Sequence, residues 1–312
     1  MKCKWIKKLT AGIIFLAAVG SLSGCQKAAT SENLFRDIEV NMTSVESAEE
    51  NQIVKLQMGD GDSAISQESN LDIEMIRDPA AVHRKGQQKT NMAGTKETQE
   101  MESYQVEEDG KTVIYSGTDE AWEKNAVEEK ETSSQQTVLF DGLQNLSGAF
   151  SVSQDLATVN KEECFELTGM ISGTQFQETF ADTLKALLGE DSSDLSGWNL
   201  QASEDEENNE ELQQKLNNIK VDCVIDIYRS NILPAKITFD LTDYLKAAGE
   251  ENAQVTSYTL EVTFVSYNDT KKIKVPKAVK ESAKDNGEDE AENSTDEMLE
   301  EENQEATAEA EA

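Results

Sequence analysis

From Ile38 onward, apolar and polar residues alternate over much of the chain, the period-two pattern of strands with one buried and one wet face. Ile38, Val40 and Met42 alternate with Glu39, Asn41 and Thr43. Val54, Leu56 and Met58 alternate with Lys55 and Gln57, and Leu71, Ile73 and Met75 with Asp72 and Glu74. Val82–Met92 is more polar and predicts an exposed or edge strand. Residues 100–107 and 112–116 predict a hairpin across Asp109-Gly110, and Ala121–Lys124 a short strand carrying Trp122. Glu162–Ile171, Val221–Tyr228, Ala235–Asp240 and Val255–Tyr267 complete a set of about eleven strands. Alternation of this kind favours an antiparallel sheet over a parallel one.

Helical spacing interrupts the strands. The segment Thr174–Leu188 places Phe176, Phe180, Leu184 and Leu187 or Leu188 on one face. Thr174 with Gln177 gives a capping-box pattern, and Gly189 supplies a C-terminal stop. Shorter helices are expected over Phe140–Phe150, with Leu143 and Leu146 inward, around Leu212–Ile219, and over Thr242–Ala248. The fold class is therefore α+β, an antiparallel sheet covered by a few helices. The Thr174–Leu188 face either packs on the sheet as core or lines a cavity. In the second case Phe176, Phe180 and Leu184 contact the ligand.

The two ends differ from this body. Lys2, Lys4, Lys7 and Lys8 precede an apolar stretch, Leu9–Val19, that is too short to span a bilayer. Leu22-Ser23-Gly24-Cys25 follows. This order resembles a bacterial lipoprotein signal peptide with its lipobox, which implies lipid on the Cys25 thiol and cleavage before it. Residues 1–24 are then the signal peptide, 25–33 a lipidated tether and 34–284 the folded domain. Residues 285–312 carry thirteen acids and no base, and predict a disordered acidic tail. Losing the signal removes four lysines and no acid, which takes the formal charge from -34 to -38. Such a polyanion repels nucleic acid and anionic membrane surfaces, so the lipid must do the anchoring. The expected location is the extracytoplasmic face of the cell membrane.

Chemistry is sparse. His83 is the only histidine, in the polar run His83-Arg84-Lys85, and is expected to be exposed. Multi-histidine metal sites and histidine-based nucleophile triads are disfavoured. Nucleotide-binding glycine patterns and a GxSxG elbow are missing, so no enzyme and no cofactor is expected. Asp191-Ser192-Ser193-Asp194 does not have the spacing of a calcium loop. Cys164 and Cys223 are the remaining cysteines of the exported body. Phe165 and Leu167 mark the apolar face of one strand and put Cys164 on the other, whereas Cys223 shares a face with Val221, Ile225 and Ile227. Two free thiols are favoured over a disulfide.

Three stretches resemble Gram-positive surface lipoproteins related to periplasmic lipoprotein carriers and mycobacterial lipid-binding lipoproteins (LolA/LppX-like). They are Tyr104 through Lys124, Leu233–Asp240, and Ser266–Asn268 with Lys272–Lys277. The resemblance implies a strongly curved antiparallel half-barrel with helices over its open side. It implies handling of a lipid or acyl chain, or an envelope structural or protein-interaction role with no small ligand. The implied partners are the membrane, through Cys25, and a lipid or another envelope protein. No ligand-contacting residue carries over from the resemblance.

Overall fold

The computed structural model describes residues 29–59, 64–118, 121–127, 143–188, 206–248 and 254–285. Two antiparallel meanders build one sheet. The first runs β1 (Ser47–Met58), β2 (Ile65–Ile76), β3 (Ala81–Met92), β4 (Thr95–Glu108), β5 (Lys111–Thr118) and β6 (Ala121–Val127). The second runs β7 (Phe150–Val159), β8 (Glu162–Ser172), β9 (Lys220–Tyr228), β10 (Pro234–Asp240) and β11 (Val255–Tyr267). They join where β11 pairs antiparallel with β1, so the order is β6-β5-β4-β3-β2-β1-β11-β10-β9-β8-β7. A two-residue strand, β12 (Lys284–Asp285), adds in parallel outside β6. The edges do not meet, and the sheet is an open, curved half-barrel. Register shifts in β1/β11, β7/β8 and β9/β10 supply local bends.

The helices are α1 (Ser31–Met42), α2 (Gly173–Leu188), α3 (Glu206–Asn218), α4 (Thr242–Ala248) and α5 (Lys277–Ser282), with a 3-10 helix over Leu143–Ala149. The first four and the 3-10 turn roof one face of β7–β11 and β1. There Leu34, Phe35, Ile38, Leu143, Leu146, Phe176, Leu216 and Tyr244 meet Leu167, Ile225, Ile237, Leu260 and Phe264 in one core. On the other half the cover changes side. Tyr104, Val113, Tyr115 and Trp122 are packed by Ile273, Val275, Val279 and Ala283 from the C-terminal segment.

Several expectations are corrected. Residues 38–42 are helical and Thr43 is the C-cap; α1 begins at Ser31, within the segment expected to be tether. Thr30 caps it by accepting from the Asn33 amide (3.3 Å), and Leu34, Phe35, Ile38 and Met42 fall on one buried face. Val40, inward in a strand reading, is 61% exposed. The strand β7 fills the stretch between the 3-10 helix and β8; its alternation is interrupted by a register shift between Val152 and Leu156. β3 is no edge strand, since it pairs with β2 and β4 along its length. The capping box of α2 lies two residues earlier than expected. Ser172 Oγ accepts from the Gln175 amide (3.2 Å), and Gln175 Oε1 accepts from the Ser172 amide (3.0 Å). The acidic stretch before Leu212 is already helix from Glu206.

Candidate functional site

The alternation of β1 sets the central feature. Val54, Leu56 and Met58 point to the roofed face, and the same parity carries back to Gln52 and Glu50. The register continues the row across three strands: Glu50 lies opposite Ile73, and Ile73 opposite Arg84. Phe264 flanks Glu50 on the other side. Glu50 is 2% exposed and Gln52 1%. Both carboxyl oxygens of Glu50, and Oε1 of Gln52, have no hydrogen-bond partner. Burial pushes the Glu50 carboxyl up to about 7 against the opposing pull of Arg84. The same burial, with Glu50 nearby, holds the Tyr267 phenol well above its usual range. Leu71 and Ile73 on β2, and Val262 and Phe264 on β11, make the surroundings apolar. Sequence reading did not single these residues out: extending the Val54–Met58 parity puts Gln52 and Glu50 on the same face, but it does not show that the face is closed over them.

The aromatic residues predicted on α2 lie in the main core, which also holds Val262 and Phe264 of β11. Phe176 and Phe180 are fully buried. Phe176 packs edge-on to Phe239 (5.2 Å between centroids) and Tyr244 (5.0 Å), and Phe180 packs on Phe239 (5.0 Å). The side chain of Leu184 lies outside the described residues, as do Cys25, Asp191–Asp194, Trp198 and residues 286–312. Polar contacts tie α2 to α3: Gln213 Nε2 donates to Gln177 Oε1 (2.7 Å), and Thr174 Oγ1 to Asn217 Oδ1 (3.0 Å).

The opposite face holds a second polar group. His83 is not simply exposed: its ring stacks on Tyr104 (4.3 Å), with Nδ1 3.2 Å from Glu74 Oε2 and Nε2 2.9 Å from Glu102 Oε1. Tyr104 donates to the same Glu102 oxygen (2.7 Å), and Lys85 donates to Oε2 (3.1 Å). Burial works against the Glu102 charge, but these three donors hold its carboxyl below the usual range. These side chains tie β2, β3 and β4 together across one rung, which reads as a strand-to-strand clamp.

Cys164 and Cys223 are buried free thiols. Cys164 lies opposite Tyr228 and Cys223 opposite Gly169 in one unbroken register, so they face opposite sides of the sheet. Burial raises both thiols above their usual range. Among the described residues, no group of three or more His, Cys, Asp or Glu side chains could hold a metal, and no helix is long and apolar enough to cross a membrane.

Residues 30–284 match the model of DUF6612, a family of unknown function. The chain belongs to this family. In structure it is similar to LprF from Mycobacterium bovis, at 10% identity and a TM-score of 0.42 over 79% of this chain and 96% of that one. It is also similar to the lipoprotein LppX of Mycobacterium tuberculosis, at 12% identity and a TM-score of 0.39 over 78% and 98% of the two chains. A LolA superfamily protein from Nitrosomonas europaea aligns at 12% identity with a TM-score of 0.19, over 80% of this chain and 96% of that one. The comparison with curated proteins found no match.

The three stretches that carried the sequence resemblance turn out to join parts of the fold. Tyr104, Tyr115 and Trp122 form the second core with the C-terminal segment. Tyr267 donates its hydroxyl to the Pro234 carbonyl (2.7 Å), linking the other two stretches. Asn268 Oδ1 accepts from the Glu46 amide (2.7 Å) at the start of β1.

Proposed function

We propose that this protein is a non-enzymatic lipoprotein, anchored to the extracytoplasmic face of the cell membrane by lipid on Cys25, whose half-barrel binds a lipid or acyl chain. The observation that carries the anchor is Leu22-Ser23-Gly24-Cys25 behind a basic, short apolar leader. Two or three chains on one cysteine give stable attachment where a single chain is marginal. Replacing Cys25 with Ser is expected to release the protein from the membrane fraction or leave it unprocessed. Normal retention and normal maturation of that variant contradict the anchor.

The ligand part rests on the roof. The large apolar face of the open sheet is closed by separate helical segments and not by a second sheet, and α2 and α3 meet through side-chain amides and hydroxyls. Lifting such a roof breaks no strand ladder. An acyl chain entering beneath it gains about 0.8 kcal/mol per buried methylene, with Phe176, Phe180 and Leu184 along its path. One observation favours a second reading, an envelope structural or protein-interaction module: Phe176 and Phe180 already fill the space over Phe239 with the chain's own rings. Native mass spectrometry of the soluble domain for co-purified lipid separates the two. With a ligand site, Phe180→Gln weakens lipid binding more than folding. With a self-filled core, the same change unfolds the domain and no lipid is found.

A further inference from the structure

A carboxylate shut away from water needs donors. A buried polar group left without hydrogen bonds destabilises the fold, and a charged one does so more. Glu50 and Gln52 carry that penalty at three acceptor oxygens, in β1, one of the two strands at which the meanders join. Nothing in strand formation demands it, since an apolar pair would complete the row Val54, Leu56 and Met58. The ionic partner in reach is Arg84, whose field favours the Glu50 charge. The group is thus an acceptor-rich spot, close to neutral overall with Arg84, set among Leu71, Ile73, Val262 and Phe264.

Resting on the lipid-binding reading, we infer that Glu50 Oε1 and Oε2 and Gln52 Oε1 accept hydrogen bonds from an uncharged, hydroxyl-bearing head of the bound amphiphile, while its acyl chain lies on the neighbouring apolar strands. With Glu50 and Arg84 side by side, an anionic head is repelled by the first and a cationic head by the second, so neither charge is favoured overall. Hydroxyl groups satisfy the acceptors without adding charge. Because both side chains are closed off from solvent, the head reaches them only once the covering residues shift, so binding is slow compared with diffusion.

The test uses the mature full chain with two probes of the same acyl length, 1-monooleoylglycerol and methyl oleate. The wild type is expected to bind the glycerol ester about tenfold more tightly, the discrimination that one well-made hydrogen bond network supplies. In Glu50→Gln/Gln52→Leu that preference falls to about threefold or less, while methyl oleate affinity holds and reports that the variant is folded. Equal affinities in the wild type, or a preference that survives in the variant, overturn the inference and leave lipid binding intact. Binding of neither ester removes the lipid reading itself, and this inference with it.

Discussion

Asp226 shows how a single side chain carries a pH dependence. It lies opposite Glu166 on one side and Lys236 on the other, on the sheet face away from the roof, and is 7% exposed with an unpaired oxygen. Burial and then Glu166 raise its carboxyl to about 6, and Lys236 only partly offsets them. A carboxyl raised in the folded state stabilises the fold below its ordinary value, and that contribution is lost as pH rises through about 6. Glu50 has the same sign, with its loss extending to about 7. Asp226→Asn is therefore expected to raise Tm by about 2–4 °C at pH 8 and to have little effect near pH 4, by thermal unfolding at both pH values. A larger gain at pH 4 than at pH 8 contradicts the assignment. Glu102 runs the other way: its lowered carboxyl stabilises at neutral pH and loses that contribution on acidification.

At the scale of elements, α2 and the β2–β3 pair make the sharpest predictions. Phe176 touches Phe180, Phe239 and Tyr244 at once, so it fixes α2 to β10 and α4 together. Phe176→Ala is expected to destabilise by about 3–5 kcal/mol, read from urea unfolding. A loss below about 1 kcal/mol would mean that the helix contributes little to the core. Gly86 is constrained by backbone. A Cβ there would stand 2.0 Å from the Asn70 carbonyl oxygen and 2.9 Å from Leu71 Cα, and neither can rotate away. Gly86→Ala is expected to cost at least about 2 kcal/mol and to speed amide exchange in β2 and β3. Unchanged exchange there would show that the strands part without penalty. The hairpin at Asp109-Gly110 was legible because both residues take the positive φ of its turn, 54° and 75°. The interior place of β3 was not legible. Its polar side chains report open faces, with rungs such as Gln87 to Glu100 (2.7 Å), whereas strand position depends on backbone bonds that composition does not encode.

Across the whole molecule, the sheet carries its main core on one face and the Tyr104–Trp122 cluster on the other. The C-terminal segment covers the second, with Val279 beside Trp122 and Tyr104, and Lys280 paired to Glu108. Ending the chain at Asp269 strips Ile273, Val275, Val279 and Ala283 from that core. It is expected to lower Tm by roughly 5 °C or more and to expose Trp122 to quenching by acrylamide. An unchanged Tm with a protected Trp122 would show that this half needs no cover. The sequence by itself determined what is local: the strand and helix periods, the opposed faces of Cys164 and Cys223, the hairpin turn, and the basic, apolar, small-residue order that ends at Cys25. Its total of about eleven strands stood because β7, unread across its register shift, replaced residues 38–43, which fit either period and became the end of a helix and its C-cap behind the Thr30 N-cap. Only the tertiary structure decided that β1 meets β11 some two hundred residues later, that His83 is clamped between Glu74 and Glu102, and that Glu50 lies buried without a donor. The reason is physical: alternation states which face a side chain takes, but burial and pairing depend on what the rest of the chain brings to that face.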